Sequence, residues 1–425
     1  MGALAAQPVA QLWATWGIAT VATVAVILRP FSWPEWIWAA AGAALLVLLG
    51  LLPWRDALAG VLEGTDVYLF LTGMMLLAEL ARREGLFDWL AARAARLSRG
   101  SAPRLFTLVY GVGVLVTAFL SNDATAVVLT PAVAAVARAA EAEDPLPYLF
   151  TCAFVANAAS FVLPISNPAN LVIYGQFMPP LLEWLPRYAL PSLLSIATTY
   201  LVLRWTQRAA LRRPVRASVE VPGLTVGGRV AAWGIAGTAV VLLGSSACGV
   251  RLGWPTFLAG AATACLVLPR SRTGWHGLVL GVSWGVLPLV AGLFVLVAAL
   301  DRTGVIRAAS GALGRLAQRS EAEAAWVAGA ALAFGSNLMN NLPAGLVAGA
   351  AVQGAHVPET VRAAVLVGVD LGPNLSVTGS LATILWLIAL RRDGEAVGAW
   401  RFLKLGALVM PPALVLALAA LVLAR

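Results

Sequence analysis

The sequence predicts an all-α polytopic membrane protein of about ten transmembrane helices plus two re-entrant hairpins, arranged as two inverted repeats with broken helices. Three observations carry this expectation. Hydrophobic residues make up 60% of the 425 residues and charged residues only 12%, where a soluble chain would be about a quarter charged. Apolar stretches long enough to cross a bilayer recur along the whole length. Gly (40) and Pro (24) are abundant, and membranes tolerate them where broken helices line cavities.

Spanning segments are expected near 10–28, 35–52, 66–82, 148–173, 187–204, 229–248, 254–268, 276–299, 361–388 and 402–424. Two further apolar regions, 104–140 and 323–353, are each interrupted by a polar cluster, "SNDAT" at 121–125 and "SNLMNNLP" at 336–343. Each reads as two half-helices meeting at a polar tip. The other reading is two full spans joined by an ordinary polar loop.

The net charge is +9, and its distribution points to a bilayer, with no nucleic acid implied. Arg and Lys collect in 82–104, 204–229 and 391–404. With ten spans and two hairpins, all three fall on one side, which the positive-inside bias makes cytoplasmic, with both termini outside. The basic stretch 301–320 falls on the opposite side and runs against that bias. No basic leader or cleavage site precedes the first apolar segment, so that segment is expected to be retained. Cys152, Cys248 and Cys265 are isolated and have no disulfide or metal-ligand spacing.

The halves repeat. "AELARREGLFDWLA" (78–91) resembles "AALDRTGVIRAASG" (298–311), with Gly85 corresponding to Gly304. "ANAASFVLPISNPANLVI" (156–173) resembles "VDLGPNLSVTGSLATILW" (369–386), matching Asn157 to Asp370 and Ser166-Asn167 to Gly379-Ser380. An odd number of crossings separates corresponding elements, so the copies are inverted. The expected organisation is an extra N-terminal helix (1–34), a first repeat (35–204), a polar cytoplasmic linker (205–228) and a second repeat (229–425). Inverted repeats with Gly- and Pro-broken helices at matching places point to the midplane site of a secondary transporter.

Four polar clusters mark that site: 121–125, 157–170, 336–343 and 370–383. Pro164, Pro168, Pro343, Gly372, Pro373 and Gly379 supply the breaks. Half-helix ends leave unpaired N–H and C=O groups in the gap. The candidate solute ligands are Ser121, Asn122, Thr125, Asn157, Ser166, Asn167, Asn170, Asn337, Asn340, Asn341, Asn374, Thr378 and Ser380. A single Asn or Ser more often glues helices together, but four clusters at symmetric places favour a binding site. Asp123 and Asp370 are the deepest carboxylates, and no Lys or Arg lies within either cluster. An unpaired carboxylate in a low-dielectric site can change protonation state, so both are candidate proton carriers. The bland reading is a structural Asp bonded to half-helix N–H groups.

Other polar residues read as structural. Glu79 beside Arg82 and Arg83 reads as an interfacial ion pair, and Asp66 as a helix-start cap. Cys152 reads as small buried filler, because one thiol cannot form a multi-thiolate cage. Trp33, Trp36, Trp184, Trp254 and Trp386 read as an interfacial belt. With two His (His276, His356) and no P-loop, His-Glu-x-x-His or Gly-x-Ser-x-Gly motif, no enzyme, cofactor or metal site is expected.

At "LFTLVYGVGVLVTAFLSNDATAVVLTPAV", "CAFVANAASFVLPISNPANLVI", "SNLMNNLPAGLVAGA" and "DLGPNLSVTGSLATILWL" the chain resembles the ArsB-type arsenite efflux permeases of the ion transporter superfamily. The resemblance covers nearly the whole chain, and the last stretch is the most specific. It implies export of arsenite and antimonite across a prokaryotic plasma membrane in exchange for protons, with a soluble ATPase subunit and a homodimer as further partners to test for. The superfamily's sodium/proton antiporters supply the alternative. Its dicarboxylate branch carries Ser-Asn-Thr at the hairpin tips, whereas this chain has Ser121-Asn122-Asp123 and Asn340-Asn341-Leu342. Asn374 stands where other members can have Lys.

Overall fold

Both halves of the chain run through helices in the same order. A computed structural model describes residues 9–175, 178–216, 219–270 and 274–423. Among these residues the secondary structure is helical, with no strand. After the N-terminal helix Val9–Leu28, the first half opens with Glu35–Leu48, Trp54–Glu63 and Thr65–Arg83, and the second with Val226–Ala247, Gly253–Val267, Trp275–Gly281 and Val286–Arg302. These helices pack against one another as one body. Gly73 and Gly260 make this possible: a Cβ on Gly260 would lie 2.6 Å from the Gly73 carbonyl oxygen.

In each half a glycine in the left-handed region, Gly85 (φ 74°) or Gly304 (φ 82°), then turns the chain into a short amphipathic helix, Leu86–Ser98 or Val305–Arg319. A side chain would strain that conformation. Leu86, Phe87 and Ala91 are buried on the first of these helices while Arg93 and Arg96 are exposed. Leu97 is exposed as well.

The interrupted regions are helical hairpins. The first has arms Ala102–Phe119 and 122–139, and the second Glu321–Met339 and Asn341–Ala355. In the first, both outer ends reach the same place. Val215 N donates to Gly100 O (3.1 Å) and the adjacent Arg216 N donates to Ala140 O (2.7 Å). The two outer ends of this region therefore lie side by side. In the second hairpin the helix Val305–Arg319 leads into the first arm, and its Ser310 Oγ donates to Ala351 O (2.9 Å) near the end of the second arm. Thr125–Leu129 is π-helical. Pro131 accounts for the wide turn, since it lacks an N–H and crowds the preceding carbonyl.

The segments expected as single spans at 148–173 and 361–388 are each divided. Leu146–Ala158 stops at an irregular stretch before Pro168–Tyr174, and Glu359–Leu371 stops before Leu381–Arg392. The matched pairs fall in register. Asn157 and Asp370 are the penultimate residues of 13-residue helices, and Asn167 and Ser380 cap the helices that follow. Long helices with two internal prolines, Leu181–Thr206 and Ala399–Leu423, close the two halves and pack together.

Among the described residues, five stretches are long and apolar enough to cross a membrane by themselves: Val9–Leu28, Ala102–Phe119, Val226–Ala247, Trp275–Arg302 and Ala399–Leu423. The pair Trp54–Glu63 and Thr65–Arg83, bent by 46°, makes a sixth. Trp54–Glu63 itself was not expected, because Arg55, Asp56 and Glu63 hide its apolar face. Asp56 pairs with Arg302, while Ala57 and Gly60 are buried.

Several expectations about single residues need correction. Trp184 and Trp386 are fully buried, with their indoles donating to Phe161 O (3.2 Å) and Leu149 O (3.0 Å), so they are core residues and not interfacial ones. Trp33, Trp36 and Trp254 are exposed. Asp66 does not cap its own helix. Its carboxylate accepts from Gly253 N (3.0 Å) at the start of the neighbouring helix. Glu79 accepts from Arg82 Nε (2.7 Å) and Arg83 Nε (2.5 Å), the ion pair expected of it.

Candidate functional site

Each of the four half-helices that begin at a tip or a break carries a polar cap. Ser121 Oγ accepts from Ala124 N (3.1 Å), Asn167 Oδ1 from Ala169 N (3.0 Å), Asn340 Oδ1 from Leu342 N (3.4 Å) and Ser380 Oγ from Thr383 N (3.1 Å). Such caps fix where a half-helix starts. The second tip also holds strain. Asn340 has φ 74° and ψ 151°, a region otherwise left to glycine and costing about 1–3 kcal/mol. The bond from Asn341 N to Gly379 O (2.8 Å) and a weak one from Asn340 Nδ2 to Thr378 O (3.4 Å) hold it against the second break. Gly379 must itself be small, because a Cβ there would lie 2.5 Å from Pro373 Cα.

Many of the sequence-predicted residues turn inward to bind protein. Thr125 Oγ1 bonds Thr117 Oγ1 (2.8 Å), closing the first hairpin. Ser166 Oγ donates to Ala118 O (3.1 Å), tying the first break to that hairpin. Asn170 Nδ2 donates to Ser160 O (2.9 Å). Asn337 Nδ2 donates to Gly372 O (3.0 Å), and its Oδ1 accepts from Ser376 Oγ (2.7 Å), while Thr378 Oγ1 donates to Asn337 O (2.8 Å). Two bonds join the breaks of the two halves. Asn157 Nδ2 donates to Asn374 Oδ1 (3.0 Å), and Asn167 Nδ2 donates to Asp370 Oδ1 (2.8 Å).

The remaining candidates converge. A cavity of about 30 Å³ is lined by Asn122 and Asp123 from the first tip, Asn341 from the second, and Asn167, Pro168, Leu381 and Ala382 from the starts of the post-break helices. Leu71, Val286 and Val290 of the other body face it. Its polar lining holds one carboxylate and three carboxamides and no cationic side chain. Asp123 and Pro168 also line a wider cavity of about 420 Å³, together with Ser121. That cavity runs past Glu79 and Arg82 to Arg392, on the arginine-rich face of the chain. Asp123 therefore stands where the two cavities meet, half-buried and with no ion-pair partner among the described residues. Leu71, Val286 and Leu381 escaped the sequence reading, because nothing local marks an apolar wall, and Arg82 and Arg392, read there only as an ion-pair partner and as part of a basic stretch, line the wider cavity.

Asp370 lies behind this site. It is fully buried and lines neither cavity, and its second carboxylate oxygen has no hydrogen-bond partner. Asp370→Asn is expected to fold and to keep the bond from Asn167, while leaving a buried amide donor unsatisfied at a cost of about 1–3 kcal/mol. Transport should fall less than in variants of Asp123, which direct flux measurement would check. Cys152 is fully buried, its thiol 3.9 Å from Tyr148 O, and it touches neither cavity. Cys152→Ser should therefore cost on the order of 1 kcal/mol of stability in thermal unfolding and leave solute binding at the cavity intact. Loss of solute binding in a folded Cys152→Ser protein would count against hydroxyl and amide ligation.

A multi-pass helical membrane protein whose half-helix ends converge on a buried polar cavity belongs to the transporters, not the enzymes. The chain is a member of the citrate transporter family CitMHS, which it matches over residues 23–369. It is 28% identical to an arsenical pump membrane protein of Yersinia enterocolitica over 82% of this chain and 84% of that one. It is 27% identical to one of Escherichia coli, with the same shares covered. It is also 26% identical to an uncharacterized transporter of Mycobacterium tuberculosis, over 88% of this chain and 90% of the relative. Among solved structures it shares the fold of the Alcanivorax borkumensis YdaH transporter, with a TM-score of 0.54 at 16% identity and 87% of each chain covered.

Proposed function

We propose that the protein exports trivalent arsenite and antimonite across the plasma membrane in exchange for protons, with both termini outside the cytoplasm. The small cavity at the meeting of the tips and breaks carries this reading. A tricarboxylate brings three negative charges and many heavy atoms. The cavity offers no Arg, Lys or His to balance that charge. Arsenite at neutral pH is a small uncharged trihydroxide. Asn122 and Asn341, beside Asp123, line the cavity and can satisfy its hydroxyls without a cationic counter-ion, which supports arsenite over citrate. The arsenical pump relatives point the same way.

Asp123 is assigned the proton. It sits beside the solute position and faces the wider cavity, so it can exchange with water while the solute is bound. The wider cavity ends at Arg82 and Arg392, the face that the arginine distribution makes cytoplasmic, as a loading state for efflux requires. Switching access would then move the bundle of hairpins and broken helices (104–140, 148–204, 323–353, 361–424) against the scaffold (35–82, 229–299), with 82–103 and 300–320 as levers. Leu71, Val286 and Val290 of the scaffold form the apolar wall past which the tips would travel.

A second reading, sodium/proton exchange, rests on three buried acceptor oxygens without donors: Asn157 Oδ1, Asn170 Oδ1 and the second oxygen of Asp370. Oxygen acceptors of this kind suit a hard cation. Proteoliposomes loaded separately with arsenite, antimonite, sodium or citrate distinguish the readings. Proton-linked flux of arsenite and antimonite is expected. Sodium flux alone would replace the first reading with the second, and citrate flux would contradict both.

A further inference from the structure

We propose that a pocket at the base of the first hairpin binds the phosphate-bearing headgroup of an anionic membrane phospholipid. The pocket has a volume of about 640 Å³ and lies between the end of helix Leu181–Thr206, the following linker and the start of hairpin arm Ala102–Phe119. Arg204, Arg208, Arg212 and Arg213 line it, and no Asp or Glu does. Of these, Arg213 is paired outside the lining with Glu143. Arg204 donates to Tyr200 Oη (2.6 Å), and Arg208 lies 5.0 Å over the Trp205 ring. These neutral contacts orient the guanidinium groups and leave their charge uncompensated. The pocket thus gathers positive charge that no carboxylate of its own lining neutralises. The hairpin arm that starts there, capped by Ser101, adds the partial positive charge of a helix N-terminus.

The surroundings favour a lipid over a soluble anion. Leu190, Leu193, Leu201 and Trp205 form an exposed apolar stripe along helix Leu181–Thr206. The stripe leads directly into the arginines, with the Trp at the boundary. That order, apolar surface then an aromatic then cations, matches the acyl chain, interface and headgroup of one lipid leaflet. Arginine also suits phosphate, because its planar fork can bond two oxygens at once. The pocket touches the moving parts of the proposed transporter. Leu211–Pro214 of its wall continues into Val215 and Arg216, which bond to both ends of the first hairpin. A bound headgroup would brace that hairpin where it is anchored.

The test uses the full-length protein in a neutral detergent, with fluorescent phosphatidylglycerol as probe and phosphatidylcholine, phosphatidylglycerol and inorganic phosphate as competitors. Phosphatidylglycerol should displace the probe far better than phosphatidylcholine, and phosphate should displace little. The double variant Arg208→Gln with Arg212→Gln should weaken binding by about 25-fold. Each basic residue contributes about 1 kcal/mol, or about fivefold at about 1.4 kcal/mol per decade. Arg208→Lys with Arg212→Lys, which keeps the charge and loses the planar fork, should bind more weakly than the unmodified protein and more tightly than the Gln variant. Equal displacement by the two lipids overturns the proposal, and so does binding unchanged in the Gln variant. Equally effective displacement by phosphate makes this a soluble-anion site and overturns the lipid assignment. If the Gln variant does not fold, the competition series on the unmodified protein decides alone.

Discussion

Asp123→Asn should abolish proton-driven accumulation of arsenite while leaving arsenite binding to the purified protein measurable. The substitution keeps a polar side chain of the same size at the tip of the first hairpin, where Asp123 lines both cavities. It removes the one carboxylate that faces the solute position. The backbone bond from residue 123 N to Asn122 Oδ1 (2.9 Å) does not involve the changed group, so the tip should keep its shape. The size of the effect follows from the driving force. One proton crossing 100 mV with a neutral solute moving the other way carries about 2.3 kcal/mol, which at about 1.4 kcal/mol per decade supports a gradient of roughly 40-fold. In the variant that ratio should fall to about one, since nothing would link the solute to the potential. Full proton-coupled accumulation by Asp123→Asn would move the coupling role to Asp370 or Glu79.

The second large effect concerns movement. Val297 of the scaffold and Leu338 of the second hairpin line one apolar groove of about 420 Å³, away from the polar cavities. Cysteines at these two positions, in a background lacking Cys152, Cys248 and Cys265, should be bridged by a short reducible thiol-reactive linker. The bridge should stop arsenite flux and leave arsenite binding unchanged, and reduction should restore flux. Because the groove lies outside the solute site, lost flux with retained binding isolates the motion. Turnover that continues with the bridge in place would contradict rigid-body movement of the bundle.

The polar interruptions were legible because a bilayer tolerates such clusters only where the chain breaks or lines a cavity. "SNDAT" and "SNLMNNLP" could be read as tips, and the Pro and Gly around 164–168 and 372–379 as breaks, without any long-range information. The match of Asn157 to Asp370 and of Asn167 to Ser380 also holds in helix register. What the sequence could not separate was lining from stitching. Asn157 and Asn374 are 217 residues apart, and Asn167 and Asp370 are 203 apart. Each looks like a free ligand until its partner is known. Asn170, Asn337 and Thr378 are likewise consumed by nearby carbonyls. Trp184 and Trp386 misled for a similar reason. Their position near segment ends suggested an interface, while a single backbone carbonyl in each case made a buried indole stable. The cavity walls, Leu71 and Val286 among them, carry no local signal and appear only once the two bodies are packed.

Arsenite uptake into everted membrane vesicles, with ATP absent and a proton gradient imposed or collapsed, tests the central claim most directly. Uptake driven by an inside-acid, inside-positive gradient and lost when a protonophore collapses it is the predicted result. Uptake that ignores the gradient, or no uptake by well-folded protein, would contradict proton-coupled arsenite export.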